Sequence, residues 1–172
     1  MGVERWTFAA QNRFLASMST APFHIIATDH TGITVSNLER SLGFWRDVLG
    51  FELSHRPHHT GALASEVTGV PGADISIAVL KGYGHKIELL QYIAPADCKR
   101  VDLRPCDVGS VHVAFTVDNL DGVLSMIAAS GWRAVGTPQT LKTGPNAGKR
   151  VVYVRDPDGT TIEFMQPPPQ SS

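Results

Sequence analysis

Two histidines and two glutamates recur at matching points of this sequence. His30 opens His30-Thr31-Gly32-Ile33-Thr34-Val35-Ser36-Asn37-Leu38, and His112 opens His112-Val113-Ala114-Phe115-Thr116-Val117-Asp118-Asn119-Leu120. In both, Asn-Leu follows seven and eight residues after the histidine. Glu88 lies in Ile87-Glu88-Leu89-Leu90 and Glu163 in Ile162-Glu163-Phe164-Met165. A carboxylate between apolar neighbours on a strand either alternates out to solvent or, on a partly buried face, needs a partner or a cation. Two His/Glu pairs converging on one point would offer two imidazole nitrogens and two carboxylates. That donor set suits Zn, Ni, Co, Mn or Fe. The plain alternative is a strand-end histidine and a solvated glutamate, copied by duplication.

The elements that must carry these side chains repeat too. Ile33 and Val35, like Val113, Phe115 and Val117, alternate as in a half-buried strand. Each run is followed by a helical pattern. Leu38, Leu42, Trp45, Val48 and Leu49 line one face in the first copy; Leu120, Val123, Leu124, Ile127 and Ala128 do so in the second. Asn37 or Ser36 and Asp118 or Asn119 are N-cap candidates, with Gly50 and Gly131 as stops. Further strands are expected at 51–53, 75–80 and 86–92, then at 132–135, 150–154 and 160–165. A turn is expected at Tyr83-Gly84-His85, and another at Asp156-Pro157-Asp158-Gly159. The division is an N-terminal extension over 1–26, a first βαβββ module over 27–93, a linker over 94–107, a second module over 108–166 and a tail over 167–172. The expected fold class is α+β: two tandem βαβββ modules forming a curved eight-stranded mixed sheet, around a metal-binding cavity if the two His/Glu pairs converge.

Composition narrows the function. The 172 residues suit one domain or two small half-domains. Apolar types make up 42%, enough for a core. Fifteen Lys+Arg against sixteen Asp+Glu give no electrostatic case for nucleic acid or an anionic membrane. No apolar stretch approaches the roughly 20 residues of a membrane span, and residues 1–23 do not read as a signal peptide. A cytoplasmic protein is expected. Cys98 and Cys106 could pair across a short loop, but two cysteines make neither a stapled scaffold nor a metal site.

Over about residues 23–167 the sequence resembles the vicinal oxygen chelate superfamily, which includes glyoxalase I, methylmalonyl-CoA epimerase, extradiol dioxygenases and related resistance proteins. Three stretches carry the resemblance. The first runs from His30 through Asn37-Leu38-Glu39-Arg40-Ser41 to Phe44-Trp45-Arg46-Asp47-Val48-Leu49-Gly50-Phe51. The second is Val111-His112-Val113-Ala114-Phe115-Thr116-Val117-Asp118, and the third Arg155-Asp156-Pro157-Asp158-Gly159-Thr160-Thr161-Ile162-Glu163. The resemblance implies one divalent ion per chain, held by His30, Glu88, His112 and Glu163. It implies a lyase, isomerase or epimerase that moves a proton alpha to a carbonyl of a small oxygen-chelating substrate, with Glu163 as base and Glu88 sharing that role. A ring-cleaving non-haem iron dioxygenase using His30, His112 and Glu163 is the first rival, and a non-catalytic drug- or metabolite-binding protein the second. A homodimer is implied, although two complete modules favour a metal site within one chain.

The remaining polar groups have weaker readings. Lys149 and Arg150 follow the flexible run Gly144-Pro145-Asn146-Ala147-Gly148 and could close over an anionic substrate. His85 could donate to a polar substrate from the rim. His55, His58 and His59 read as solvated loop residues. Trp45 and Trp132 read as core.

Overall fold

A computed structural model describes residues 22–169 of the chain. Most of the expected N-terminal arm and the last three residues of the tail lie outside the described residues. The first module contains β1 (Thr31–Thr34), α1 (Leu38–Gly43), β2 (Glu52–His55), β3 (His58–His59), α2 (Gly61–Thr68), β4 (Asp74–Gly82) and β5 (His85–Ala94). The second contains β6 (His112–Thr116), α3 (Leu120–Ala128), β7 (Arg133–Ala134), β8 (Gln139–Thr140), β9 (Arg150–Arg155) and β10 (Thr161–Gln166). Asn37 and Asn119 cap α1 and α3, their side-chain oxygens each accepting a backbone N–H at 2.9 Å, from Arg40 and Gly122 respectively. Beyond α1 the chain widens into one π-helical turn over Phe44–Val48. Gly50 and Gly131 then take left-handed backbone angles, with φ of +74° and +79°, as the stop positions require.

The strands form two sheets rather than the expected single eight-stranded one. Their orders are β1-β5-β4-β2 with β3 on β4, and β6-β10-β9-β7 with β8 on β9. In each, the opening strand runs parallel to the closing strand and the other pairings are antiparallel. β1 and β6 are therefore edges, and no ladder joins them among the described residues.

Side-chain packing joins the modules instead. Ile33, Leu80, Ile87 and Leu89 of the first share one core with Val152, Val154, Ile162 and Phe164 of the second. Aromatic rings fill the seam. Phe44 stacks on Trp132 with centroids 3.7 Å apart, and Trp45 and Phe51 meet Phe115 edge-on. Gly82 has no side chain because a Cβ there would lie 2.8 Å from the Phe51 ring.

Helix α2 and β3 were not foreseen. Ala64 of α2 packs with Ala73, Ile75, Ile77 and Val79 in a second, smaller core. The alternation of β4 explains it: Ala78 and Leu80 face the shared core, while Ile75, Ile77 and Val79 face the other way and need a cover. No helix among the described residues is long and apolar enough to cross a membrane.

Candidate functional site

Strand parity sets Glu88 and Glu163. Ile87 and Leu89 are fully buried in the shared core, so Glu88 between them projects from the opposite face of its sheet. Ile162 and Phe164 do the same for Glu163. Glu88 is in register with Gly32 on β1, and Glu163 with Ala114 on β6. Each glutamate thereby comes beside the histidine that precedes or opens the neighbouring strand. His30 Nε2 lies 3.3 Å from Glu88 Oε2, and His112 Nε2 lies 3.3 Å from Glu163 Oε2.

Two glutamines that the sequence reading overlooked hold this register. Gln91 Oε1 accepts the Leu38 N–H at 2.7 Å, and Gln166 Oε1 accepts the Leu120 N–H at 3.0 Å. Each satisfies a free donor at a helix start and ties the helix to the strand that carries the glutamate. The signal was present: both copies place Gln three residues after Glu, an odd spacing that puts the two on opposite faces.

The two histidines differ in their surroundings. Asp29 accepts the His30 Nδ1 proton at 2.8 Å and also the Lys86 ammonium at 2.6 Å. The hydrogen bond from Lys86, followed by that from His30, holds the Asp29 carboxyl below its ordinary range. With Nδ1 donating, His30 Nε2 is left as an acceptor facing an acceptor, Glu88 Oε2. Two lone pairs at 3.3 Å call for a proton or a cation between them, so this pair fits a metal ion. His112 is preceded by Val111, and its ring lies 4.9 Å from the ring of Tyr153. Tyr153 is in register with Glu163 and shares its face.

The expected convergence of all four ligands within one chain is not seen. Among the described residues no group of three or more His, Cys, Asp or Glu side chains is placed to hold an ion. The modules join through the sheet faces that the glutamates point away from, so each His/Glu pair stays with its own module.

The other candidate groups have partners of their own. Arg150 does not join Glu163: its Nη1 and Nη2 donate to Asp121 at 2.9 and 2.8 Å, on the helix side of the sheet. His85 does not join Glu88. It pairs through Nε2 with Thr31 Oγ1 at 2.9 Å, and its strand position matches the core-facing Ile87 and Leu89. His55, His58 and His59 lie on β2 and β3 rather than in a loop, with His58 Nε2 2.6 Å from Asp74 Oδ1. Lys149 sits immediately before β9. Cys98 and Cys106 are both free and exposed.

A cavity of about 620 Å³ is lined in part by His112. Strand β1, His112 and Thr161 line it together with linker residues Lys99, Arg100, Val101 and Leu103.

Comparison with known proteins agrees with this architecture. A family model described as glyoxalase/bleomycin resistance protein/dioxygenase superfamily matches residues 27–164. The chain is 32% identical to a 2-epi-5-epi-valiolone epimerase from an Actinomyces species, over 83% of this chain and 80% of that one. It is 30% identical to a lactoylglutathione lyase from Neisseria meningitidis, over 80% and 88%. Among solved structures, a glyoxalase family protein from Bacillus cereus superposes with a TM-score of 0.74 at 24% identity. That match covers 88% of this chain and all of the other.

Proposed function

The chain belongs to the glyoxalase/bleomycin resistance protein/dioxygenase superfamily, and from that premise we propose that it is a metal-dependent lyase, isomerase or epimerase that moves a proton on the carbon next to a carbonyl. One observation carries the reading: the same His–Glu contact, at 3.3 Å, stands at the same strand position of both modules. His30, Glu88, His112 and Glu163 would hold one divalent ion per chain, of the Zn, Ni, Co, Mn or Fe class. Each module supplies only half of that set, so we assign the other half to a second copy. The first-module pair of one copy faces the second-module pair of another, and the free edges β1 and β6 are the contact. The active species is then a homodimer.

The bound ion would polarise the substrate carbonyl and so acidify the adjacent carbon–hydrogen bond. Glu163 takes that proton on its carboxylate and returns it to the same or the neighbouring carbon. Glu88 serves the opposite side, an arrangement suited to inversion at carbon. Tyr153, beside His112, is a hydroxyl available to the substrate. Two relatives named as an epimerase and a lyase, the reaction classes this reading spans, support it.

The test is anaerobic incubation of metal-loaded protein in deuterated water with hemithioacetals, 2-substituted acyl thioesters and hydroxyketones. Deuterium is expected at the carbon alpha to the carbonyl, without oxygen uptake. Glu163→Gln is expected to keep most of the metal and lose about 10²- to 10⁴-fold in exchange rate. Iron-dependent oxygen consumption with a catechol, and no exchange on any carbonyl compound, would overturn the proposal in favour of a ring-cleaving oxygenase. Tight binding of small molecules without turnover or stoichiometric metal would overturn it in favour of a sequestering protein.

A further inference from the structure

Arg155, the last residue of β9, is a buried cation with two of its three donor nitrogens unused. Its side chain is only 9% exposed. Nη1 donates to Asp102 Oδ1 at 3.2 Å, while Nε and Nη2 are buried and meet no acceptor among the described residues. A buried guanidinium in that state is costly, because it has lost water and gained little in return.

The neighbouring carboxylates do not answer it. Asp102 is 79% exposed and shares its charge with solvent. Asp156 uses its Oδ1 on the backbone N–H groups of Asp158 and Thr160. Asp158 is taken up by Ser36 and Arg40, and Asp107 by Arg104. Across the ladder stands another cation, Arg133, in register with Arg155.

The position of Arg155 ties it to the candidate site. Thr161 is in register with Arg155 on one side and with His112 on the other. Residues paired directly across neighbouring strands share a face, so His112, Thr161 and Arg155 form one row on the face that carries Glu163. Two strand spacings separate the ends of the row, roughly 10 Å, a small-molecule length. His112 and Thr161 also line the cavity that linker residues Lys99 to Val101 border, and the next linker residue, Asp102, accepts from Arg155.

Nε–H and Nη2–H leave the same edge of a guanidinium in parallel, the spacing that two oxygens of a carboxylate or phosphate accept as a fork. We propose that this edge of Arg155 is an oxyanion-recognition site, which takes a carboxylate or phosphate group of a small molecule whose reacting end sits at His112 and Glu163. The inference rests on that reading of the site for what the anion belongs to, but the anion site itself needs no metal and no turnover.

The test therefore uses full-length protein stripped of metal with a chelator. Inorganic phosphate and malonate are titrated separately while the Arg155 side-chain Nε–H resonance and the melting temperature are followed. The Nε–H signal is expected to move downfield with saturation for at least one of the two anions, and the more effective one identifies the group. Arg155→Gln should weaken binding at least tenfold. Arg155→Lys, which keeps the charge without the fork, should weaken it by a similar factor while preserving the fold. Asp102→Asn removes a like charge and should strengthen anion binding. If neither anion moves the resonance, if Arg155→Lys binds as wild type does, or if Asp102→Asn abolishes binding, Arg155 is a structural tie for the linker and the proposal is overturned. Failure of proton exchange alongside intact anion binding would sink the catalytic reading alone.

Discussion

Asp29 accepts the Nδ1 proton of His30 at 2.8 Å and is itself held by Lys86 at 2.6 Å; the equivalent place before His112 is Val111. The two halves of a duplicated site are thus unequal. A carboxylate behind a ligating imidazole fixes its tautomer and raises its basicity. Asp29→Ala should lower metal affinity by about 10- to 100-fold, read by competition with a chromophoric chelator. In the metal-free protein, nitrogen NMR should show His30 leaving the Nδ1–H tautomer. An unchanged tautomer would remove Asp29 from the site.

Asp158 ties the β9–β10 turn to the end of β1. Its carboxylate accepts the Ser36 N–H at 3.0 Å, the Ser36 hydroxyl at 2.6 Å and the Arg40 guanidinium at 2.7 Å. Burial raises its pKa, but the hydrogen bonds from Ser36 and Arg40 outweigh that, and the carboxyl titrates below its ordinary value. Folding then favours the ionised form. The stabilisation is present above the unfolded pKa, near 3.9, and is lost as pH falls through the lower folded value. Asp158→Asn should cost about 1–2 kcal/mol near neutral pH, discounted for the half-exposed Arg40. In urea titrations the gap from wild type should shrink below about pH 4. A gap that persists undiminished at pH 2 would mean the charge is not what holds the turn.

Trp132 closes the seam between modules by stacking on Phe44. Both rings are buried, and Trp45 lies edge-on to each. Trp132→Ala should destabilise the chain by about 3–5 kcal/mol, measured by chemical denaturation. Wild type should unfold in one transition because the two modules share one core. Two separated transitions in the wild type would show that the modules fold independently.

Much of the module plan is legible in the residues alone. Asn37, Asn119, Gly50 and Gly131 act through local backbone geometry, which a sequence states directly. The alternation around Glu88 and Glu163 likewise predicted that each carboxylate points away from its apolar neighbours. Helix α2 was not legible, since Gly61-Ala62-Leu63-Ala64 carries little helical patterning and only the apolar underside of β4 gives Ala64 a surface to cover.

The sequence by itself determined the duplication, narrowed each cap to two neighbouring residues and placed one histidine and one glutamate at matching points of each copy. Those follow from residue spacing along a strand and from which face of that strand is apolar. Tertiary structure alone decided that the modules meet through the opposite faces, that Arg150 and His85 belong to the helix side, and that Asp102 of the linker meets Arg155. Periodicity tells which side of an element needs cover, but not which distant segment will cover it. That choice is made by packing between residues far apart in the chain, where Phe44 meets Trp132 and Asp102 meets Arg155.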